Sequence, residues 1–270
     1  MFDRRKVGRS FHRHADAYDR LASVQQRVVR RLMELLAGRV TETPRIALDI
    51  GCGTGALTAA LKERYPKVHR CGLDLALNMV RQASVKEEGD CLFVNGDAEH
   101  LPFRDGSFDL VVSASTLQWL GSLDGCLREC RRIVTKDGFI ALAFFGGATL
   151  WELQESYREA LARRAAPDDP RLGRLHRFMG VAAVREALAR LDLGQVQVTS
   201  EIEMDHHPDV QGLLRSIKGI GAGAAARGGA GGLGWRRIIE DMSEVYQRRF
   251  FADGMIPATY EVIYLMIKPA

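Results

Sequence analysis

The chain has 270 residues, 46% of them hydrophobic and 27% charged, a mix that excludes a disordered or fibrous chain. No run approaches the roughly 18 uninterrupted apolar residues of a membrane span, so no membrane association is expected. Met1-Phe2-Asp3-Arg4-Arg5-Lys6 leads into charged sequence, not the apolar stretch of a secretory signal, so a cytoplasmic location is the expectation. The net charge is +4, but the first 40 residues hold ten Lys/Arg against four Asp/Glu, which leaves the other 230 with two negative charges in excess. A basic arm on a nearly neutral body suits an acidic partner or an anionic substrate, and a simply solvated basic helix is the plainer reading. Basic and aromatic residues do not interleave as they do in RNA-recognition sheets, so nucleic acid is not an expected partner. The five cysteines form no C-x-x-C pair, which predicts buried thiols and neither a metal site nor a disulfide framework.

Residues 10–37 are predicted helical, from Ser10 as a cap to Gly38 as a stop, with Val24, Val28, Val29, Leu32, Leu35 and Leu36 at helical spacing. From Ile46 the period changes. Strands are predicted at 46–50, 68–73, 91–94, 108–113 and 139–145, with helices at 54–63, 76–85 and 122–133 between them. Alternating strands and helices imply βαβ units, a parallel sheet and ligands at the strand carboxyl ends. Beyond 146 helices are expected at 149–164, 179–191, 210–217 and 235–251, and strands at 195–204 and 259–267. The expected division is an N-terminal helical lid (1–42), a cofactor-binding core (43–146), a helical cap (147–256) and a last strand (257–270). The cap would hold strand 195–204 and a glycine-rich loop, 221–234. The fold class is a doubly wound α/β sheet, mostly parallel and seven-stranded.

Asp49-Ile50-Gly51-Cys52-Gly53-Thr54-Gly55 lies between the first core strand and its helix. Glycines there permit positive φ and a close approach of backbone to ligand, and the helix N-terminus offers free N–H groups. Asp74 follows the second strand, 19 residues after Gly55, where an acid can accept from both ribose hydroxyls. The pattern points to an adenosine-containing cofactor without saying which. Gly51, Gly53 and Ala56 also satisfy the G-x-G-x-x-A of dinucleotide sites, while the G-x-x-x-x-G-K-[ST] of nucleotide hydrolases is absent.

Asp49 to Gly55, then Gly72-Leu73-Asp74, Gly96-Asp97-Ala98-Glu99-His100-Leu101-Pro102-Phe103 and Asp105-Gly106-Ser107-Phe108-Asp109, together resemble the class I S-adenosylmethionine-dependent methyltransferases. The resemblance covers roughly 45–145 and implies a cofactor set of Asp49, Gly51, Gly53, Gly55, Asp74, Leu75, Asp97 and Ala98. In it the glycines pass beneath the methionyl and ribose parts, Asp74 holds the ribose, and Asp97 accepts from the adenine amino group beside Ala98. Leu117-Gln118-Trp119 would lie where this superfamily places substrate, with Trp119 equally readable as a core aromatic.

Four further segments narrow the resemblance: Phe11 to Asp19, Thr116 to Leu120, Leu214-Arg215-Ser216-Ile217-Lys218-Gly219-Ile220-Gly221-Ala222, and Thr259 to Tyr264. Their combination resembles the malonyl-[acyl-carrier protein] O-methyltransferases of bacterial biotin synthesis, although the Gly/Ala-rich stretch 223–234 departs from that pattern. The resemblance implies methylation of the free carboxylate of a malonyl thioester, borne by acyl carrier protein or by CoA, with S-adenosylhomocysteine as by-product. The methyl ester would prime pimeloyl synthesis. A methyltransferase of another small carboxylic acid or a quinone-like ring, an NAD-dependent oxidoreductase and a non-catalytic binding module remain alternatives.

A carboxylate is already ionised near pH 7 and needs no general base. Catalysis then rests on holding oxygen, methyl carbon and sulfur in line about 3 Å apart and on excluding water. Any cation on the substrate should touch the non-attacking oxygen, because a bidentate clamp would blunt the nucleophile. The catalytic candidates are Tyr18, in the segment that covers the cofactor in related enzymes, and Gln118, as a donor to the carboxylate. Arg177, Arg215 and Lys218 are the candidate anion anchors, and no metal is expected, since adjacent His206 and His207 point to opposite faces of a strand. Acyl carrier proteins are acidic, so the basic N-terminal segment with Arg215, Lys218, Arg236 and Arg237 is the expected docking surface. Charge reversal at Arg215 and Arg237 would then raise KM for a carrier-borne substrate and spare cofactor affinity. A monomer is expected.

Overall fold

A computed structural model describes residues 4–40, 42–87, 91–163, 177–222 and 233–269. In chain order the elements are α1 (Arg4–Leu21), α2 (Ser23–Ala37), β1 (Ile46–Ile50), α3 (Ala56–Arg64), β2 (His69–Asp74), α4 (Leu77–Lys86), β3 (Cys91–Asn95) and β4 (Phe108–Ala114). A 3-10 turn (Leu117–Trp119) leads to α5 (Leu123–Ile133), β5 (Val134–Phe145), α6 (Trp151–Ala162), α7 (Val181–Ala189), β6 (Gln195–His207), α8 (Val210–Gly219), α9 (Leu233–Phe250) and β7 (Ile256–Lys268).

The strands form one seven-stranded sheet in the order β3-β2-β1-β4-β5-β7-β6. β1 to β5 are parallel, and β7 runs antiparallel between β5 and β6. This is the doubly wound class the strand-helix alternation predicts. Both faces are covered, so the strands read as apolar runs whose alternate residues enter opposite cores. Ala47, Leu110 and Val112 pack with α2, α3, α6, α8 and α9, while Leu48, Ile50 and Val111 pack with α5 and α7.

The chain leaves β1 towards β2 and β3, then returns to β4 on the other side. β1 and β4 are therefore the switch point, where the carboxyl ends of the strands part and leave a crevice. Their backbone pairing stops at Asp49 and Val112, and beyond it the buried Ser113 hydroxyl donates to the Ile50 carbonyl at 2.6 Å.

Three local expectations change. The predicted helix 10–37 is two helices meeting at Ala22, whose φ and ψ of −91° and 39° are off-helical. Ala22 is buried against Ile220 and Ala222, so tertiary packing, not a Gly or Pro, sets the break. Ser10 is no cap: α1 begins before it, and its carbonyl accepts from His14 Nδ1 at 2.7 Å in one tautomer. β6 and β7 extend to His207 and back to Ile256, with Pro257 opposite His206. β5 pairs only with residues 262–267 of β7, so the missing N–H of Pro257 interrupts no ladder on that side. Of the predicted loop 221–234, residues 223–232 lie outside the described residues. No helix among the described residues is long and apolar enough to cross a membrane. All five cysteines are free thiols, four buried and Cys91 half-buried; Cys126 and Cys130 face each other within α5 at 4.0 Å.

Candidate functional site

After Ile50 the chain folds back over the end of β2: the Gly51 and Cys52 N–H groups both donate to the Leu73 carbonyl, at 2.6 and 3.0 Å. Gly51 sits at φ +70°, and a Cβ there would lie 2.1 Å from Thr116 Oγ1. Only glycine meets both demands. Asp74, at the end of β2, fixes the loop from below. Its Oδ2 accepts from Gly53 N–H at 3.0 Å and its Oδ1 from Ala76 N–H at 2.7 Å. Each oxygen keeps a further lone pair for a ligand.

These residues border a chamber of about 730 Å³, open to solvent. Gly51, Gly53, Asp74, Leu75, Asp97 and Ala98 all line it. The Asp97 carboxylate accepts from Glu99 N–H at 2.9 Å and lies 3.7 Å from His100 Nδ1. A second chamber, of about 460 Å³, shares Tyr18, Gly51, Gly53, Ala114 and Ser115 with the first and adds Asp49. Gly55 lines neither; it is the N-cap of α3.

Asp49 lies on the inward face of β1 beneath α3, almost wholly buried. Thr58, one turn into α3, donates its hydroxyl to Asp49 Oδ2 at 2.7 Å, while Oδ1 is buried without a partner. Burial first, and then the nearby Asp74 charge, push Asp49 up to about 7, although the Thr58 bond opposes them. Burial likewise raises Asp74 to about 6, against the two backbone bonds it accepts. A site holding two desolvated carboxylates gains when a cationic ligand with hydroxyl donors enters.

Both acids titrate above the unfolded carboxylate range of about 4. Their contribution to the stability of the ligand-free protein is thus fully present below that range and is lost as pH rises through about 6 and about 7. Ligand affinity runs the other way, because only the ionised forms accept two hydroxyl donors or offset a cation. S-Adenosylhomocysteine affinity, measured calorimetrically, should rise at least about tenfold from pH 5 to pH 7.5. A flat profile would exclude these carboxylates as its ligands.

α1 covers the first chamber with Val7, Gly8, Phe11 and Tyr18. His12 joins it to α4, accepting from Asn78 N–H at 3.2 Å through Nδ1 and from Asn78 Nδ2 at 3.0 Å through its carbonyl. Asp19 accepts from the Thr54 hydroxyl in the glycine loop and from Lys86 at the end of α4. Tyr18 stands where the chambers meet; burial, with the charges of Asp74 and Asp19, holds its phenol well above the usual range and therefore protonated. Phe11 packs edge-on to Trp119 with ring centroids 5.7 Å apart, and Trp119 lines the chamber.

Gln118 lines neither chamber. Its Nε2 donates to the Ser115 carbonyl at 2.7 Å and its Oε1 accepts from Phe145 N–H at 3.4 Å, so its amide staples the ends of β4 and β5 together. Arg177, Arg215 and Lys218 are exposed and also line neither chamber. Sequence reasoning missed Ser115 and Thr116, Thr58 and the link through Asp19. Ser115 and Thr116 were findable from position alone, since they follow β4 at the sheet edge where ligands bind. Ser115 has φ +58°, uncommon for a residue with a Cβ.

A methyltransferase domain family matches residues 48–142. The chain is similar to the Geobacter sulfurreducens malonyl-[acyl-carrier protein] O-methyltransferase, at 48% identity over 98% of each protein. It is 34% identical to the Dechloromonas aromatica protein of the same name, over 97% of this chain and 94% of that one. Among solved structures it resembles the YcgJ protein of Bacillus subtilis, at a TM-score of 0.59 and 19% identity, covering 89% of this chain and 99% of that one; this likeness concerns the fold. This chain belongs to the malonyl-[acyl-carrier protein] O-methyltransferase family.

Proposed function

We infer that the chain transfers a methyl group from S-adenosylmethionine to the free carboxylate of a malonyl thioester, giving the methyl ester that primes pimeloyl synthesis for biotin. The similarity to the Geobacter protein over 98% of the chain carries this reading, and the chamber bordered by Asp74 supports it. Two features of the site fit the cofactor. Asp49 Oδ1 is a buried acceptor without a partner, and a Cβ added at Gly53 would meet nothing within 4 Å, so the loop leaves room for a ligand. When bound, S-adenosylmethionine supplies an electrophilic methyl group on a sulfonium sulfur.

In this reading Asp74 accepts from the ribose hydroxyls, Asp97 from the adenine amino group, and Leu75 and Ala98 flank the ring. Gly51 and Gly53 bring backbone close to the sulfur-bearing chain, with Asp49 placing negative charge beneath it. Gly55 acts indirectly, by ending the loop and starting α3. Tyr18, protonated at neutral pH, closes the junction of the chambers against water and offers a hydroxyl to the reacting carboxylate. Gln118 positions the strand ends that carry Ser115 and Phe145. No residue has to remove a proton, because the nucleophile enters ionised. Arg177, Arg215 and Lys218 lie outside the chambers and are not assigned to the malonyl carboxylate.

The test offers the purified protein malonyl-acyl carrier protein, malonyl-CoA, free dicarboxylic acids and a quinone-like phenol, each with S-adenosylmethionine. Mass spectrometry should find one added methyl on the malonyl thioesters alone. Methylation confined to the free acids or to the ring would replace this reading with the corresponding alternative.

A further inference from the structure

The basic arm seen in the composition divides into two sets in the folded chain. On α2, Arg27 pairs with Glu203 at 2.9 Å and with Asp205 at 3.6 Å, and Arg31 pairs with Glu201 at 2.8 Å and Glu34 at 3.0 Å. Arg39 donates to Gln197 at 2.8 Å. These three hold α2 against β6. The second set is Arg9, Arg13 and Arg20 on α1, Arg215 and Lys218 on α8, and Arg236 and Arg237 at the start of α9. All seven are exposed, and none has an acidic partner among the described residues.

The second set lies on the helix that covers the chamber and on the two helices that pack in succession against it. The face of α1 opposite its arginines lines the cavity through Gly8 and Phe11. Lys218 lies in the last turn of α8, where its carbonyl accepts from Gly221 N–H at 3.0 Å, and Ile220 and Ala222 pack with Ala22, Tyr18 and Trp119. α9 packs against α8. None of the seven cations lines either chamber, so a ligand seated inside has no use for them. Unpaired like charges on neighbouring helices repel one another and weaken the fold, a cost that a large anionic partner removes.

We propose that these cations form the docking surface for an acidic carrier protein, which seats over α1, α8 and the start of α9 and passes its thioester-bearing arm into the chamber beneath. The proposal rests on the malonyl thioester reading above and adds where the carrier binds. Nucleic acid is the poorer match, because basic and aromatic residues do not interleave along the sequence.

The test compares wild type with Arg13→Glu/Arg236→Glu/Arg237→Glu on two substrates, malonyl-acyl carrier protein and the small malonyl thioester of N-acetylcysteamine. KM for the carrier substrate should rise at least about tenfold, while KM for the small thioester stays within about twofold. Wild-type KM for the carrier should also rise with salt, and that for the small thioester should not. Unaltered melting temperature and S-adenosylhomocysteine affinity establish that the variant is folded. Binding of holo-acyl carrier protein without malonyl, read by fluorescence anisotropy, should weaken in parallel. It tests the surface even if wild type methylates neither thioester, an outcome that would count against the reaction instead. Equal carrier binding by variant and wild type would overturn the proposal, as would tighter wild-type binding of a short DNA duplex than of the carrier.

Discussion

Asp74→Ala is expected to weaken S-adenosylhomocysteine binding at least about a hundredfold. In the proposed reading the substitution removes a carboxylate that accepts from two ribose hydroxyls, and hydrogen bonds to a charged group contribute about 1.5–3 kcal/mol each. Two of them correspond to roughly a hundredfold in affinity at the lower bound. It also strips the acceptors from Gly53 N–H and Ala76 N–H, so the glycine loop loses its anchor to the end of β2. Asp74→Asn should fall between, since an amide nitrogen would confront one of those two donors. Calorimetry measures the affinities, and the melting temperature without ligand shows whether the variant folds. Affinity within threefold of wild type in a folded Asp74→Ala would remove Asp74 from the cofactor site.

Gly51→Ala carries the second large effect, and here the expected loss is of structure as well as binding. The residue lies at φ +70°, where a Cβ costs roughly 1–2 kcal/mol. That Cβ would also stand 2.1 Å from Thr116 Oγ1 and 2.6 Å from Thr116 Cβ. Relieving the overlap must separate the loop after β1 from the loop after β4, and overpacking of this kind costs about 1–3 kcal/mol more. The two terms together, roughly 2–5 kcal/mol, should lower the melting temperature by several degrees and abolish cofactor binding. Gly53→Ala separates the causes: its φ of +55° is also left-handed, but the added Cβ meets nothing within 4 Å. It should lose only the strain of that φ, about 1–2 kcal/mol, melt between Gly51→Ala and wild type, and still bind cofactor poorly, because the methyl occupies the chamber. If Gly51→Ala melted and bound like wild type, the contact with Thr116 would not shape the site.

The core of the fold was legible because its signals are local. β1 and β4 are short, mainly apolar runs bounded by glycine or polar residues, and burial on both sheet faces gives them that pattern. Gly51, Gly53 and Asp74 were legible for the same reason, being fixed by spacing within one βαβ unit. The break at Ala22 was not, because its cause, packing on Ile220 and Ala222, lies some 200 residues along the chain. Thr58 was hidden likewise: its part depends on α3 coming to lie over β1. Charge shows the same limit. Composition reveals a basic arm, but only the meeting of α2 with β6 shows that Arg27 and Arg31 are neutralised, while Arg13 and Arg215 have no acidic partner among the described residues. Gln118 was a sound choice of segment, yet its amide is taken up by the backbone of Ser115 and Phe145.

The most direct measurement is a single turnover with methyl-labelled S-adenosylmethionine and malonyl-acyl carrier protein, followed by mild alkali. The label should move to the carrier-borne malonyl group and leave it as methanol, the behaviour of a methyl ester on an oxygen that was already anionic. Label that never leaves the donor, or that stays on the acyl group through alkali, would contradict the account.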